Sequence, residues 1–362
     1  MHAPAILGPS RTTDLTICIP AYQAANFIDR TLRCATGQTH SGLRILVSVD
    51  RSTDETAAIC RRFRSNDPRI EIIEQRDRLG WCRNVNALLE RVDTPLFFIY
   101  FHDDLILPQY CEMLRAALIG DPHAASAHCD VLDFGLKDNI VKGRSYTGTV
   151  AERLLSLWTS DHPGGVLRSL MRLDSVGADF RLPSDDHHGF TPGHYLQLQI
   201  IAAGTASYVP DTLYCRWIRK HGLTDTWKGL PYEVILQGRT ADLDRVYAFI
   251  DRKVMDSEER EILKIAITLY NHRKMVAAAR LHRKPQPNFR DLHPDVPELR
   301  LPAGLQRFGT EACDWFAEEI KRALKPRRAH SPRRLPRAEN QTHREFIQRV
   351  LHLLRLTEPK RR

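Results

Sequence analysis

Short apolar runs alternate with amphipathic stretches through the first hundred residues. Leu15-Thr16-Ile17-Cys18-Ile19 is apolar and stops at Pro20, which predicts a buried strand. Phe27, Ile28 and Leu32 fall on one face of a helix predicted from about Ala25 to Thr36. Leu43 to Val49 follows as a second strand. Ser52 to Arg64 is a helix, opened by the capping chemistry of Ser-Thr-Asp-Glu. Ile70 to Glu74 is a third strand and Trp81 to Arg91 a third helix. Leu96 to Phe101 is a strongly apolar fourth strand that runs into His102-Asp103-Asp104.

Downstream the pattern gives a helix over Pro108 to Leu118, a strand over Ala125 to Phe134 and a helix over Val150 to Trp158. Arg181 to Pro192 is a polar loop rich in His, Asp, Pro and Gly. A helix over Tyr195 to Ala203 and a strand over Ala206 to Tyr214 complete this part. Residues 231–282 have helical amphipathic spacing, and 283–302 are Pro-rich and polar. Residues 325–338 are basic, Pro-rich and expected to be disordered. A last helix runs from Thr342 to Leu356, with Thr342 and Glu345 at capping-box spacing.

Strands alternating with helices predict an α/β fold. Its sheet is mixed but mainly parallel, flanked by helices, with a mostly helical C-terminal extension. The expected boundaries are a tail at 1–13, a domain at 14–228, a helical extension at 229–324, a basic linker at 325–341 and a basic amphipathic end at 342–362. Such sheets bind ligands beyond the C-terminal ends of their strands. That rule singles out Asp50, after the second strand, and Asp103 and Asp104, after the fourth.

Composition is that of an ordinary globular protein, 42% hydrophobic and 27% charged. No apolar run is long enough for a transmembrane helix, and the first residues do not have the form of a secretory signal. These readings predict a cytoplasmic protein. Pro231 to Arg362 carries 28 Lys and Arg against 18 Asp and Glu, so the net charge of +9 resides there. Over Lys321 to Arg362 the count is 14 against 3. A solvated tail and a polyanion-binding tail both fit that charge. The eight cysteines form no C-x-x-C pair. Several sit inside apolar segments, which predicts free buried thiols and no zinc site.

Four segments in order resemble family 2 glycosyltransferases, which have the GT-A fold, over about residues 14–225. Ile17-Cys18-Ile19-Pro20-Ala21-Tyr22-Gln23 is similar to the opening strand and P-x-Y-N turn. Val49-Asp50-Arg51-Ser52-Thr53-Asp54-Glu55-Thr56 is similar to D-G-S-T-D-x-T. Gly80-Trp81-Cys82-Arg83-Asn84 is similar to G-x-x-x-R-N, one residue shorter. Phe98 to Pro108 is similar to the strand that ends in metal-binding aspartates.

The resemblance implies transfer of a sugar, with inversion, from a nucleoside diphosphate sugar to a hydroxyl acceptor, with a UDP-sugar favoured as donor. Pro20, Ala21, Tyr22, Asp50, Arg83, Asp103 and Arg219 would bind the donor. Asp104, first choice, and His221 would hold Mg²⁺ or Mn²⁺. A hard cation offsets the charge that builds on the leaving diphosphate. Read from the residues alone, the Asp pair serves equally as a polar cap on the next helix.

The sequence departs from the family in two places. Phe101 replaces the first Asp of D-x-D. Pro192 and Gly193 stand where the acidic pair that supplies the general base is expected. Asp186 and then Asp185 are the nearest carboxylates, with His188 and His194 close by. The basic C-terminal helix suits either packing on the protein's own core or contact with the inner face of a membrane, where a lipid-linked sugar would be the acceptor. Two other classes stay open. One is a GT-A domain that binds nucleotide sugar without turnover. The other is a nucleic-acid or scaffold protein acting through its tail, although that tail lacks interleaved aromatics.

Overall fold

The computed structural model describes residues 13–136, 138–159, 163–184, 191–220, 222, 226–227, 229–287, 289, 302 and 304–324. In chain order the strands are β1 Leu15–Ala21, β2 Leu43–Val49, β3 Ile70–Glu74, β4 Leu96–Ile99, β5 Leu105–Ile106, β6 Ala124–Gly135, β7 Asn139–Val141, β8 Leu170–Arg172 and β9 Thr205–Ile218. The helices before the extension are α1 Ile28–Thr36, α2 Thr56–Asn66, α3 Trp81–Leu89, α4 Tyr110–Gly120, α5 Val150–Thr159, α6 Leu173–Val176 and α7 Pro192–Ala203. Three more follow: α8 Tyr232–Lys253, α9 Ser257–Leu281 and α10 Gly309–Leu324.

One sheet runs β3-β2-β1-β4-β8-β6-β9-β5, with β7 beside β6. The first four strands are parallel; Ile17 lies opposite both Ile45 and Phe98. β8 is antiparallel to β4 and to β6, while β6 and β9 pair in parallel. The mixed, mainly parallel α/β reading therefore holds. Strands β5, β7 and β8 were not foreseen, because two or three residues carry no readable period. β6 and β9 outrun their predicted limits. The β6–β9 register shifts around Cys129, Asp130 and Val131.

The strand period sorts the core into two layers. Leu15, Ile17, Ile19 and Phe98 pack on the α1, α2 and α4 side, while Phe97 and Ile99 pack on the α3, α5 and α7 side. The second layer continues into the extension through Val246, Phe249, Ile262, Leu263 and Phe316, so the helical region shares a core with the sheet domain. All eight cysteines are free and seven are buried, as expected. No described helix is long and apolar enough to cross a membrane.

Two helix starts differ from expectation for a common reason. α1 begins at Ile28 and α2 at Thr56, because Ser52, Asp54 and Thr56 spend their side chains across the loop. Ser52 Oγ accepts from Gln23 N, Asp54 Oδ2 from Ala25 N and Thr56 Oγ1 from Ala24 N. Asp54 Oδ1 also accepts from Thr56 N at 3.1 Å, a turn contact just ahead of the Glu55 N-cap. The clasp fixes the loop after β1 against the loop after β2.

Candidate functional site

Because β1 lies between β2 and β4, all parallel, the loops after these three strands share one edge of the sheet. Asp50 N donates to Ala21 O (2.8 Å), and His102 Nδ1 lies 3.0 Å from Pro20 O. Asp50 and the His102-Asp103-Asp104 turn thus flank the end of β1. Pro20 and Ala21 are buried and contribute backbone there, whereas Tyr22 is 38% exposed.

Asp50 is 1% exposed, and its carboxylate is held by Arg78, Leu79 and Gly80 of the turn before α3. Oδ1 accepts from Leu79 N (2.6 Å), Oδ2 from Gly80 N (3.0 Å), and Arg78 pairs with Oδ2. Gly80 has φ +79°, a conformation that glycine adopts without a Cβ clash, and this aims both amides at one carboxylate. The Arg78 guanidinium lies 3.4 Å from the centroid of the Tyr22 ring. A flat cation therefore occupies the slot between an exposed aromatic face and Asp50. Arg78 was missed in the sequence. Its signal, a basic residue just before the Gly80 turn, was hidden in the charged run Arg76-Asp77-Arg78.

The structure sets the paired aspartates in different surroundings. Asp104 is 2% exposed and faces inward. Its Oδ2 accepts from Tyr214 OH (2.8 Å) and Arg168 Nη2 (3.3 Å), and its Oδ1 from Trp217 N (3.1 Å). Burial pushes its carboxyl up to about 6, against the opposing pull of the Arg168 guanidinium. Asp104 is thus a buried post that fastens β9 to the β4 turn, and it has no open face for a cation. Asp103 is the half-buried member that reaches the surface, with Arg219 Nε donating to its Oδ2 at 3.1 Å.

Around Asp103 the aromatic and basic side chains interleave. Arg219 lies 4.4 Å from the Phe27 ring centroid and Arg30 lies 4.6 Å from that of Trp217. Phe27 meets Trp217 edge-on at 5.4 Å, and Trp217 stacks on Phe134. Arg219, expected to bind the donor, thus lies between Asp103 and the Phe27 ring. Arg83 is exposed and its Nε donates to Leu79 O (2.8 Å), so it braces the Asp50 turn from outside. Asn84 instead pins α3 to β2, accepting from Ser48 Oγ and donating to Ser48 O.

Asp185, Asp186, His188 and His221 lie outside the described residues, as does the helix expected at 342–356. His194 is described, and it is engaged. The indole N–H of Trp158 can only donate, so His194 Nε2 accepts (3.2 Å) and its Nδ1 donates to Asp242 (3.1 Å). It joins α5, α7 and α8 and has no lone pair left for a general base.

A divalent cation finds a small set of donors here. Among the described residues no three His, Cys, Asp or Glu side chains converge. Asp103 presents a part-exposed carboxylate at this edge. That fits Mg²⁺ or Mn²⁺ bound through one carboxylate and otherwise by phosphate oxygens.

Residues 16–160 match the family described as Glycosyl transferase family 2. The chain is 24% identical over 223 residues to Glycosyltransferase GlyA of Streptococcus pneumoniae, which covers 59% of this chain and 32% of that protein. It spans about a third or less of the curated relatives it matches. The Staphylococcus aureus TarS 1–349 structure in complex with UDP superposes with a TM-score of 0.59 at 15% identity, over 86% of this chain and 89% of that one. The mannosyltransferase PcManGT of Pyrobaculum calidifontis, in complex with GDP-Man and Mn²⁺, gives 0.51 at 16% identity, over 96% and 86%. Strand order and the structural neighbours give the chain the GT-A fold, and within it residues 16–160 are similar to glycosyl transferase family 2.

Proposed function

We propose that the protein transfers a sugar, with inversion, from a nucleoside diphosphate sugar to a hydroxyl acceptor. The observation that carries the reading is the shared edge at which Asp50 and Asp103 flank the end of β1. The base of the nucleotide stacks on Tyr22 and donates an N–H to Asp50, in the slot that Arg78 now fills. The diphosphate then extends toward Asp103 and Arg219. A UDP-sugar is the favoured donor, and the likeness to a UDP-bound fold supports that preference.

Arg219 supplies a positive charge beside the leaving phosphate, held in place by Asp103 and the Phe27 face before substrate arrives. Asp103 would hold Mg²⁺ or Mn²⁺, which when bound offsets charge on the diphosphate. His221 is the second expected ligand. The acceptor proton goes to a carboxylate of the 185–186 pair, Asp186 first. The product belongs to polysaccharide or glycoconjugate synthesis. The basic, apolar-striped sequence at 342–356 suits contact with a lipid-linked acceptor.

The test is transfer and donor hydrolysis with UDP- and GDP-sugars, with and without EDTA, and the anomeric configuration of the product read by NMR. Nucleotide binding without turnover on any acceptor would favour a domain that only holds nucleotide sugar. Retention of configuration would overturn the inverting mechanism.

A further inference from the structure

We propose that Trp81 and Trp227 form an aromatic platform for the acceptor carbohydrate; this rests on the donor reading above. The two indoles come from distant parts of the chain, one opening α3 and the other following β9. Their centroids are 6.5 Å apart at 54°, and both are half-buried. The topology explains the meeting. α3 starts at the edge where the parallel strands end, and β9, parallel to β6, finishes at the same edge. The α7 N-terminus and Leu167, just ahead of antiparallel β8, arrive there too.

Two features give the platform a carbohydrate character. First, it adjoins the donor machinery on both sides. Trp81 follows Gly80, whose amide holds Asp50. Trp227 lies eight residues beyond Arg219, which holds Asp103. An acceptor resting on the pair would lie beside the sugar end of the donor, on the α3 and α7 side of the sheet. The base slot and the Phe27–Arg219 cluster are the other parts of that edge. Second, the α7 N-terminus brings Gly193 beside Trp81. A Cβ there would sit in ordinary contact, 3.8 Å from Leu167 and 4.0 Å from the Trp81 indole, so a longer side chain would crowd the ring. Gly193 stands where the family's acidic pair is expected.

Indole faces suit the C–H face of a pyranose ring, leaving the ring hydroxyls to the solvent and to polar side chains around it. A flat apolar partner would be served as well by a closed core. A half-buried pair at the edge of a polar cleft fits an amphipathic ring. The class of ligand is therefore a pyranose, free or at the end of a glycan.

The experiment uses the full chain labelled with ¹⁵N-tryptophan and saturated with UDP, with UDP affinity measured in parallel. Disaccharides ending in glucose, galactose, N-acetylglucosamine or mannose are then titrated while the indole N–H signals of Trp81 and Trp227 are followed. At least one disaccharide should move both signals saturably. Trp81→Ala should weaken that disaccharide about tenfold or more, Trp81→Phe should restore part of the loss, and Gly193→Leu should block it, all with UDP affinity held. Signals unmoved by every disaccharide in the UDP-bound protein overturn the platform alone. Failure of UDP and GDP to bind at all overturns the donor reading, and the platform with it.

Discussion

Arg219 Nε sits 3.1 Å from Asp103 Oδ2, so the carboxylate that reaches the surface at the end of β4 already holds a cation of the chain's own. Its neighbour in sequence, Asp104, is turned into the core and held by three donors from β9 and the segment before β8. The adjacent aspartates therefore have separable consequences.

Asp104→Ala removes the carboxylate that pairs with the buried Arg168 guanidinium. The loss of folding stability is expected to be about 3–5 kcal/mol, read by urea titration. Asp103→Ala should leave the midpoint within about 0.5 kcal/mol, because the Asp103–Arg219 pair is partly exposed, yet lower turnover by two orders of magnitude or more. Equal losses of stability in the two variants would contradict this division.

The nucleotide slot gives a second expectation. Tyr22→Ala removes a stacking face worth about 1–3 kcal/mol, so UDP affinity measured by calorimetry should fall about 5- to 150-fold. Asp50→Asn should weaken UDP by a similar factor and also loosen the Leu79–Gly80 turn, visible as faster amide exchange there. Unchanged UDP affinity in both would move the base elsewhere.

Chelation provides a third. Because no three metal-ligating side chains converge among the described residues, a cation held by Asp103 would gain most of its ligands from the diphosphate. EDTA should therefore weaken UDP-sugar binding and turnover and leave thermal stability of the nucleotide-free protein unchanged. A drop in the nucleotide-free melting temperature with EDTA would point to a structural metal instead.

His128 carries a pH dependence away from this edge. It is 1% exposed, and burial pushes its imidazole down from 6.5 to about 4. Between those values the unfolded chain binds a proton that the native protein refuses. Stability from this group is complete above pH 6.5 and is lost as pH falls toward 4, by roughly 3 kcal/mol. His128→Gln should flatten that part of the urea-midpoint profile. An unchanged slope would show that other groups set it.

Backbone strain offers a fifth. Arg51 has φ +45°, at the position where the resembling D-G-S-T-D pattern has glycine. Arg51→Gly should raise stability by about 0.5–1 kcal/mol, the left-handed penalty less the entropy that glycine adds to the unfolded chain. Gln23, φ +46°, is the comparable case on the facing loop, where Gln23 Oε1 accepts from Thr53 N and anchors it.

The sequence by itself determined the parallel half of the sheet and the edge at which the candidate carboxylates gather. Buried parallel strands are continuous apolar runs, and the carboxylates that follow them are visible as breaks in those runs, so Asp50 and the Asp103–Asp104 pair could be found in one dimension. Tertiary structure alone decided which aspartate of the pair faces out. Adjacent residues leave a turn in opposite directions, and the donors that claim Asp104, on Tyr214, Trp217 and Arg168, lie 64 to 113 residues away. For the same reason only the fold could bring Arg78 over Tyr22, lock His194 between Trp158 and Asp242, and set Trp81 beside Trp227. These contacts close loops between segments whose local patterns give no sign of one another.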